Sequence, residues 1–256
     1  MLGAILGDIA GAPYEFRPPR TKEFELFLGG RYTDDTVLTI AIAESFLRKT
    51  GYVENLHKWF HKYPRAGYGG KFRRWCLRSE TEPYGSYANG SAMRVSPVAY
   101  VANSIEECLE LACASAKVTH NHPDAIAGAQ ATAAAIYMAR TGSSQAEIGK
   151  FITKRFGYDL NRTVSDIRTN YRNSVSCKKT VPESIVAFLE SNSYEETIRN
   201  AIWIGGDADT MAAIAGSIAE PFWGIPTEVK TKGLEKLPVD LRSVLDEFYR
   251  EYKIDC

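Results

Sequence analysis

The sequence lacks the features that mark several classes of protein. Its 256 residues carry 31 basic and 31 acidic side chains, so the formal net charge is +0. No charge excess favours nucleic acid or an acidic membrane surface as a partner. No apolar run reaches membrane-spanning length, and the opening MLGAILGDIAGAPYEF has no basic n-region. We therefore expect neither a membrane span nor a signal peptide.

Cysteine and strand-forming patterns are also scarce. The five cysteines are an odd number without a CxxC pair, which gives no disulfide framework and suits a reducing cytoplasm. Alternating runs of β-branched residues are nearly absent, so the predicted fold class is all-α. No linker-like stretch divides the chain, and 45% of its residues are hydrophobic. We expect one domain over residues 1–256 that buries its core as a monomer.

Helix signals dominate what is present. Capping boxes begin at Ser104, Ser144 and Ser193, and Gly157 stands where the second of these helices would end. The segment 124–139, rich in alanine and without a charged face, indicates a central buried helix. Low helix propensity predicts loops over 7–31, 64–91 and 162–180. Further helices are predicted over 33–49, 53–62, 123–140, 182–190, 209–220 and 240–252.

Two acidic clusters stand where apolar helices are predicted to begin. YTDDT carries Asp34 and Asp35, and GGDADT carries Asp207 and Asp209. Either cluster alone is explained by helix capping and by the helix dipole. If the two helix starts converge, however, four carboxylates meet and cannot all stay ionised unaided. Divalent cations would remove that repulsion, and a set of oxygen ligands favours Mg²⁺ or Mn²⁺ over zinc.

Histidine spacing offers a rival metal site, a zinc centre. HNHPD begins a zinc-hydrolase pattern, and His57 with His61 has the spacing of a helical zinc pair. Ala125 replaces the next histidine of the first pattern, and Lys58 replaces the glutamate of the second. With four histidines in the whole chain, the zinc hypothesis is much the weaker of the two.

Several motifs together resemble one family. In order along the chain, GDIAGAPYEF, YTDDT, GYGGKFRRW, YGSYANGSAMRVSPV, THNHPDAIAGAQ and GGDADTMAAIAGSIAEPFWGIP are similar to those of the ADP-ribosylglycohydrolases, the relatives of dinitrogenase reductase-activating glycohydrolase. The resemblance implies a compact orthogonal bundle of α-helices in a single domain. It also implies a binuclear Mg²⁺ or Mn²⁺ centre that serves the removal of ADP-ribose from modified acceptors.

The resemblance also assigns site residues. Glu15, Asp35 and Asp209 match catalytic positions, and His120 matches a histidine of the ligand pocket. The loop that would hold the diphosphate and distal ribose comprises Gly85, Ser86, Tyr87, Ala88, Asn89 and Gly90. The metal ligands would be Thr33, Asp34, Asp35, Asp207, Asp209 and Thr210.

Some alternatives stay open at the level of sequence. The segment 85–90 also suits an ordinary loop with a turn at Asn89 and Gly90, and Asp8 suits either support of the metal ligands or a turn cap. The expected reaction is cleavage at C1 of the distal ribose, with a protein side chain, a nucleic acid end or a small molecule as the acceptor. The alternatives are an ADP-ribose-binding protein without catalysis and a hydrolase of O-acetyl-ADP-ribose.

Overall fold

Helices account for the architecture, as the sequence predicts. The computed structural model describes residues 1–15, 17–171 and 173–254, and within these ranges the chain forms fifteen α-helices and no β-strand. A short 3₁₀ helix, Ala12–Tyr14, follows the first of them. The α-helices are α1 (Leu2–Gly11), α2 (Asp34–Arg48), α3 (Tyr52–Lys62), α4 (Gly70–Leu77), α5 (Gly90–Met93), α6 (Ser96–Val101), α7 (Ile105–Lys117), α8 (Pro123–Arg140), α9 (Gln145–Phe156), α10 (Val164–Asn170), α11 (Cys177–Leu189), α12 (Tyr194–Ile204), α13 (Ala208–Trp223), α14 (Thr227–Leu234) and α15 (Val239–Glu251).

The predicted helix caps are confirmed. The side chain of Ser144 accepts a hydrogen bond from the backbone of Glu147, whose carboxylate accepts one in return. Gly157 ends the same helix in the left-handed conformation, with φ of 71°. Ser104 and Ser193 also cap α7 and α12 through their side chains. The glutamates of these two predicted capping boxes accept instead from the backbone N–H groups of Asn103 and Asn192, so the boxes are formed only in part. These local signals therefore set the ends of helices without help from distant packing.

Helix boundaries agree with prediction to within one residue for α2, α3, α8 and α15. Two other helices run past the predicted limits, and both contain a proline. Pro182 lies inside α11 and Pro221 inside α13, whereas the predicted helices begin at 182 and end at 220. Proline removes one backbone hydrogen bond from a helix, and the residue that would accept it in α11, Lys178, is exposed. Packing of the apolar faces outweighs that loss.

The loops predicted over 7–31, 64–91 and 162–180 are wrong in part, since these segments contain the end of α1, all of α4 and all of α10. Residues 16 and 172, within the first and third of these segments, lie outside the described residues. In α1, glycine lowers helix propensity but permits close packing. A Cβ on Gly7 would lie 2.1 Å from the carbonyl oxygen of Ala212, and one on Gly3 would lie 2.3 Å from that of Gly216. The backbones of α1 and α13 are therefore in direct contact.

The segment predicted to be a central buried helix occupies that position as α8. It packs against α5, α6, α7, α9, α11 and α13. Its alanines are almost all buried, and a Cβ on Gly128 would lie 2.7 Å from the Sγ of Cys177. The small side chains of α8 thus allow these six helices to pack closely against it. None of the helices in the described ranges is long and apolar enough to cross a membrane.

Candidate active site and metal centre

A cavity of about 420 Å³ lies where α2 and α13 begin. Both acidic clusters face it, and so do Glu15, His120 and most of the predicted substrate loop. The lining residues from the two helix starts are Thr33, Asp34, Asp35, Asp207, Asp209 and Thr210. The structure therefore brings together the residues that the sequence could only place on two separate helices.

The α2 start is held by a buried acid of α1. Thr33 is the N-cap, and its Oγ1 accepts a hydrogen bond from the backbone N–H of Asp35 at 3.2 Å. The hydroxyl of Thr33 donates to Asp8 at 2.7 Å, while its N–H donates to the other carboxylate oxygen at 2.9 Å. Asp8 also accepts hydrogen bonds from the N–H and hydroxyl of Thr36. Both carboxylate oxygens of Asp8 therefore accept hydrogen bonds from Thr33 and Thr36, and Asp8 holds the start of α2 in position from the side of α1.

The α13 start is held by the predicted substrate loop. Gly205 and Gly206 have φ of 90° and 81°, a conformation that favours glycine, and they turn the chain from α12 into α13. Asp207 follows as the N-cap but makes no side-chain capping bond. Its Oδ2 instead accepts a hydrogen bond from the side-chain amide of Asn89 at 2.7 Å. The carboxylate of Asp207 is therefore turned toward the cavity rather than back onto its own helix.

Glu15 joins the α13 cluster. It follows the 3₁₀ helix after α1 and is half-buried. One carboxylate oxygen each from Glu15, Asp207 and Asp209 lie within 4.8 Å of one another. Among the described residues, these three form the group of acids, histidines or cysteines whose ligand atoms lie close enough together to hold a metal ion. The two histidine patterns form no comparable group in the same ranges.

Burial shifts four acids at or behind the cavity, Asp8, Asp34, Asp35 and Asp209, toward their protonated forms. It raises the pKa of Asp8 to about 6 and that of Asp34, with help from the charge of Asp8, to about 8. Burial, followed by the charge of Asp209, raises the pKa of Asp35 well above its usual range. Burial and then Asp207 act in the same direction on Asp209. The protein thus concentrates negative charge where water cannot stabilise it.

A divalent cation fits this arrangement of donors. One carboxylate oxygen of Asp35, Oδ2, is buried without a hydrogen-bond partner in the described part of the chain. Such an atom is costly unless something positive or a donor meets it. The available ligand atoms are carboxylate and hydroxyl oxygens, which favour hard ions. The observed chemistry therefore agrees with the Mg²⁺ or Mn²⁺ hypothesis and gives no ligand set for zinc.

The predicted substrate loop lies along one side of the cavity. Ser86, Tyr87, Ala88, Asn89 and Gly90 line it. The structure has a turn at Asn89, which is the N-cap of α5, and Gly90 is the first residue of that helix. The binding role of the loop therefore stays a prediction.

Part of this loop is already engaged within the protein. Gly85 is exposed, has φ of 67° and is not among the residues that line the cavity. The N–H of Ser86 donates to the carbonyl oxygen of Thr119, and the N–H of Asn89 donates to that of Val175. The N–H of Ala88 donates to the hydroxyl oxygen of Ser86. A cradle for phosphate oxygens would therefore draw on the other N–H groups of the loop.

His120 lies beneath the loop and is 5% exposed. A Cβ on Gly90 would lie 3.0 Å from its Nε2, so glycine is what lets this ring approach the backbone. The sequence analysis missed Arg94, which lines the same cavity and is fully buried. A lone arginine within the apolar run SAMRVSPVAYVA was the signal that could have identified it.

The other histidines have local roles. His57 lies on α3, and its Nε2 is 2.8 Å from the carbonyl oxygen of Glu80. The rings of His57 and His61 stack with centroids 6.4 Å apart on the exposed side of that helix. His122 is the N-cap of α8. These contacts give each ring a structural explanation apart from metal.

Comparison with known sequences agrees with the geometry of this site. The sequence model of the ADP-ribosylglycohydrolase family matches residues 1–254. The chain belongs to the ADP-ribosylglycohydrolase family. Its relatives include human ADP-ribosylhydrolase ARH3, which is 27% identical over 88% of this chain and 84% of the relative. As a member of this family, the protein is a hydrolytic enzyme.

Bacterial members of the family match over most of the chain as well. The ADP-ribosyl-[dinitrogen reductase] glycohydrolase of Rhodospirillum rubrum is 26% identical over 92% of this chain and 88% of the relative. The ADP-ribosylarginine hydrolase Tri1 of Pseudomonas putida is 24% identical over 88% of this chain and 70% of the relative. Members with different acceptors in their names thus match the same stretch of sequence.

A solved structure has the same fold. The structure described as an ADP-ribosylglycohydrolase-related protein complex superposes with a TM-score of 0.73 at 24% sequence identity. The match covers 97% of this chain and 96% of the other. The all-α architecture is therefore that of the family.

Proposed function

We propose that this protein hydrolyses the bond between C1 of the distal ribose of ADP-ribose and an acceptor atom. The observation that carries the proposal is the meeting of two acid and threonine helix starts with Glu15 at one cavity. Membership of the family, and relatives named as ADP-ribosylhydrolases, support the same reaction. Oxocarbenium-like character at C1 is expected in the transition state.

The proposed cofactor is a pair of divalent cations, Mg²⁺ or Mn²⁺. The residues that would hold them are Thr33, Asp34, Asp35, Asp207, Asp209 and Thr210. When bound, the pair would supply positive charge that orients ribose hydroxyls and lowers the pKa of a water molecule. The support for this assignment is the unpartnered Oδ2 of Asp35 and the crowding of carboxylates that burial leaves uncompensated.

The protein's own residues would orient and position the reactants. Glu15 lies at the cavity beside Asp207 and Asp209, where its carboxylate can hold the leaving group or a water molecule by a hydrogen bond. Asp35 and Asp209 face each other closely enough that the charge of Asp209 is the leading charge acting on Asp35. Asn89 links the loop that would bind the diphosphate to Asp207. Ligand binding and acid placement would therefore depend on each other.

The acceptor, the cellular location and the oligomeric state are also proposals. The relatives' names include arginine and dinitrogen reductase as the modified groups, so a protein side chain is the first acceptor to test. Nucleic acid enters only as a modified end. Cys76, Cys108, Cys113 and Cys177 are all free, in keeping with the proposed cytoplasmic setting. We propose a monomer, because the chain buries a continuous core by itself.

The test is release of free ADP-ribose from a panel of substrates. The panel contains arginine, serine and threonine conjugates, modified DNA ends and O-acetyl-ADP-ribose, each with Mg²⁺, with Mn²⁺ and with EDTA. Metal-dependent release from one conjugate would establish the reaction and identify the acceptor. Calorimetric binding of ADP-ribose without release from any substrate would contradict the hydrolase assignment and favour a binding protein. Release that is undiminished in EDTA would contradict the metal centre.

A further inference from the structure

Beneath the predicted substrate loop, three buried side chains form a hydrogen-bonded chain. Nη2 of Arg94 donates to Oγ1 of Thr119 at 2.8 Å, and Oγ1 of Thr119 lies 2.7 Å from Nδ1 of His120. Arg94 and Thr119 are fully buried, and His120 is 5% exposed. Arg94 also donates from Nη2 to the carbonyl oxygen of Ser115 at 3.1 Å. The guanidinium is thus held by Thr119 and by the backbone of α7.

The protons of this chain can be assigned from donor and acceptor counts. An arginine guanidinium has only donors, so the Thr119 oxygen must accept from it. If Nδ1 of His120 also carried a proton, the Thr119 oxygen would receive two donors. Its own proton would then need another acceptor, and the neighbouring candidate is the phenol oxygen of Tyr84, whose pKa Thr119 lowers. A neutral imidazole nitrogen is a better acceptor than a phenol oxygen, so the Thr119 hydroxyl donates to Nδ1.

The charge of Arg94 strengthens this assignment. Burial lowers the pKa of Arg94 only to about 10, so the guanidinium remains positive at neutral pH. A hydroxyl that accepts from a cation is polarised and becomes a stronger donor to its next partner. Burial, followed by the charge of Arg94, lowers the pKa of His120 well below its usual range. His120 is therefore a neutral imidazole, which carries a single N–H.

That N–H lies next to the substrate loop. With Nδ1 used as an acceptor, the proton of His120 lies on Nε2, the atom 3.0 Å from where a Cβ on Gly90 would lie. His120, Gly90 and Arg94 all line the cavity. The ring thus offers a fixed hydrogen-bond donor beside the start of α5, and a donor is matched by an acceptor oxygen of the ligand.

We propose that Thr119, held by Arg94, is a positioning residue that locks His120 in the neutral Nε2–H tautomer, so that His120 donates to a phosphate or ribose oxygen of the bound nucleotide. The ligand half of this proposal rests on the proposed function, whereas the tautomer half concerns the free protein. Thr119 and Arg94 act through His120 and need not touch the ligand.

The first experiment measures the tautomer directly. Long-range ¹H–¹⁵N correlation spectra of the ¹⁵N-labelled protein at neutral pH distinguish Nδ1–H from Nε2–H, and a His120→Asn variant identifies the His120 signals. We expect Nε2–H in the wild type and in Thr119→Ser, which keeps the hydroxyl. In Thr119→Val the Nε2–H preference should be lost. An Nδ1–H pattern in the wild type, or an unchanged pattern in Thr119→Val, would overturn the proposal.

The matched control is Thr132→Val. Thr132 is fully buried on α8, and its Oγ1 has no hydrogen-bond partner in the described residues. The same change of hydroxyl to methyl is therefore made in a buried place that does not touch His120. This variant should retain the wild-type spectrum of His120, which separates loss of a specific hydrogen bond from general loosening of the core. A tautomer change in Thr132→Val as large as that in Thr119→Val would count against the proposal.

The second experiment measures ADP-ribose binding by calorimetry in the presence of Mg²⁺. Loss of the donor geometry should weaken binding by Thr119→Val roughly tenfold, while Thr119→Ser and Thr132→Val remain near the wild type. Equal affinity of Thr119→Val and the wild type would remove the positioning role. If the wild type does not bind ADP-ribose at all, the proposed function fails, and the spectra alone then decide the tautomer half.

Discussion

The two helix starts at the cavity have similar sequences but different supports. At α2, Thr33 caps the helix and is held by Asp8, a fully buried acid of α1. At α13, Asp207 makes no capping bond of its own and is held by Asn89 of the predicted substrate loop. One cluster is thus fixed by the core, and the other is fixed by the part of the site that would meet the ligand.

This difference shows what a local motif leaves unspecified. A threonine with two acids at a helix start is compatible with simple capping, and at α2 capping is observed. The distant partners give each cluster its distinct character. We expect changes behind α2 to act on cation affinity, and changes behind α13 to act also on nucleotide binding.

The largest expected effect comes from Asp209, which belongs to the cluster with Glu15 and Asp207. Asp209→Ala should abolish turnover and weaken Mn²⁺ binding by more than the roughly 10–100-fold typical of a lost outer partner. Helical content should stay at the wild-type level, because the hydrogen bond that the carboxylate accepts comes from the N–H of the adjacent Thr210 and does not join α13 to another helix. ADP-ribose release, calorimetry and circular dichroism measure the three effects.

The control for this variant is Asp246→Ala. Asp246 is an exposed acid of α15 whose contact is with Arg242 at 3.8 Å. Asp246→Ala removes the same type of side chain at a position far from the cavity and should leave turnover unchanged. Normal turnover in folded Asp209→Ala would break the account of the α13 cluster.

Asp8→Asn tests the support behind α2. The carboxylate of Asp8 accepts four hydrogen bonds from Thr33 and Thr36. In the variant, the side-chain NH₂ of asparagine would replace one of the two oxygens and would face donors whose hydrogen bonds it cannot accept. We expect Mn²⁺ affinity to fall roughly 10–100-fold. The Michaelis constant for the substrate at saturating Mn²⁺ should change little.

The matched control for Asp8→Asn is Glu44→Gln. Glu44 is a buried acid that bonds to Lys58 and Trp59 on the other side of α2. It should lower thermal stability without changing Mn²⁺ affinity. Equal Mn²⁺ affinities of Asp8→Asn and the wild type would show that the core does not set the ligands at α2.

Asn89→Ala tests the support behind α13. The variant removes the 2.7 Å hydrogen bond to Asp207 and a 3.2 Å hydrogen bond to Thr180. We expect the Michaelis constant to rise roughly tenfold even at saturating Mn²⁺, because the loop and the acid lose their link. Asn200→Ala is the control, since this buried amide bonds to Ser191 away from the cavity. A Michaelis constant that rises equally in both variants would indicate only a general loss of stability.

The smallest effect concerns His120, which lies against Gly90 of the loop. Its folded-state pKa lies below the unfolded value of about 6.5, so the unfolded chain binds the proton more readily. The stability that neutral His120 contributes is present above that value and is lost as the pH falls below it. The slope is at most about 1.4 kcal/mol per pH unit. Between pH 7.5 and 5.5 the raised pKa values of Asp8 and Asp34 act in the opposite direction in both proteins. Urea unfolding should therefore show a loss of stability on acidification that is larger in the wild type than in His120→Gln.

The control for the pH series is His61→Gln, on an exposed position of α3. It should follow the wild-type pH dependence. Identical pH dependence in His120→Gln and the wild type would show that His120 is not held in its neutral form, and would weaken the link between this ring and the α13-supported loop.

Sequence patterns predicted the long helices and the residues of the cavity better than they predicted the short helices. The starts of α2 and α8 follow from caps and from apolar periodicity, which are local. The helix α1 was missed because Gly3 and Gly7 lower propensity, and their value appears only against the backbone of α13. Asp8 was left between two roles for the same reason. Its partners Thr33 and Thr36 are distant in sequence.

The buried polar chain was beyond sequence reasoning for a related cause. Arg94 and Thr119 come from segments 25 residues apart in the chain, and no local pattern links the two residues. Only the fold places them in line with His120. The roles of the metal-ligand and substrate residues stay predictions that the variants above would decide.

The central claim is that the two helix starts act as one metal centre. The most direct test is calorimetric titration of Mn²⁺ into the wild type, Asp35→Asn, Asp209→Asn and the double variant. We predict strong coupling, in which each single change weakens binding nearly as much as both together. Strictly additive losses, with one cation lost per variant and the other unaffected, would contradict the claim and leave two independent sites.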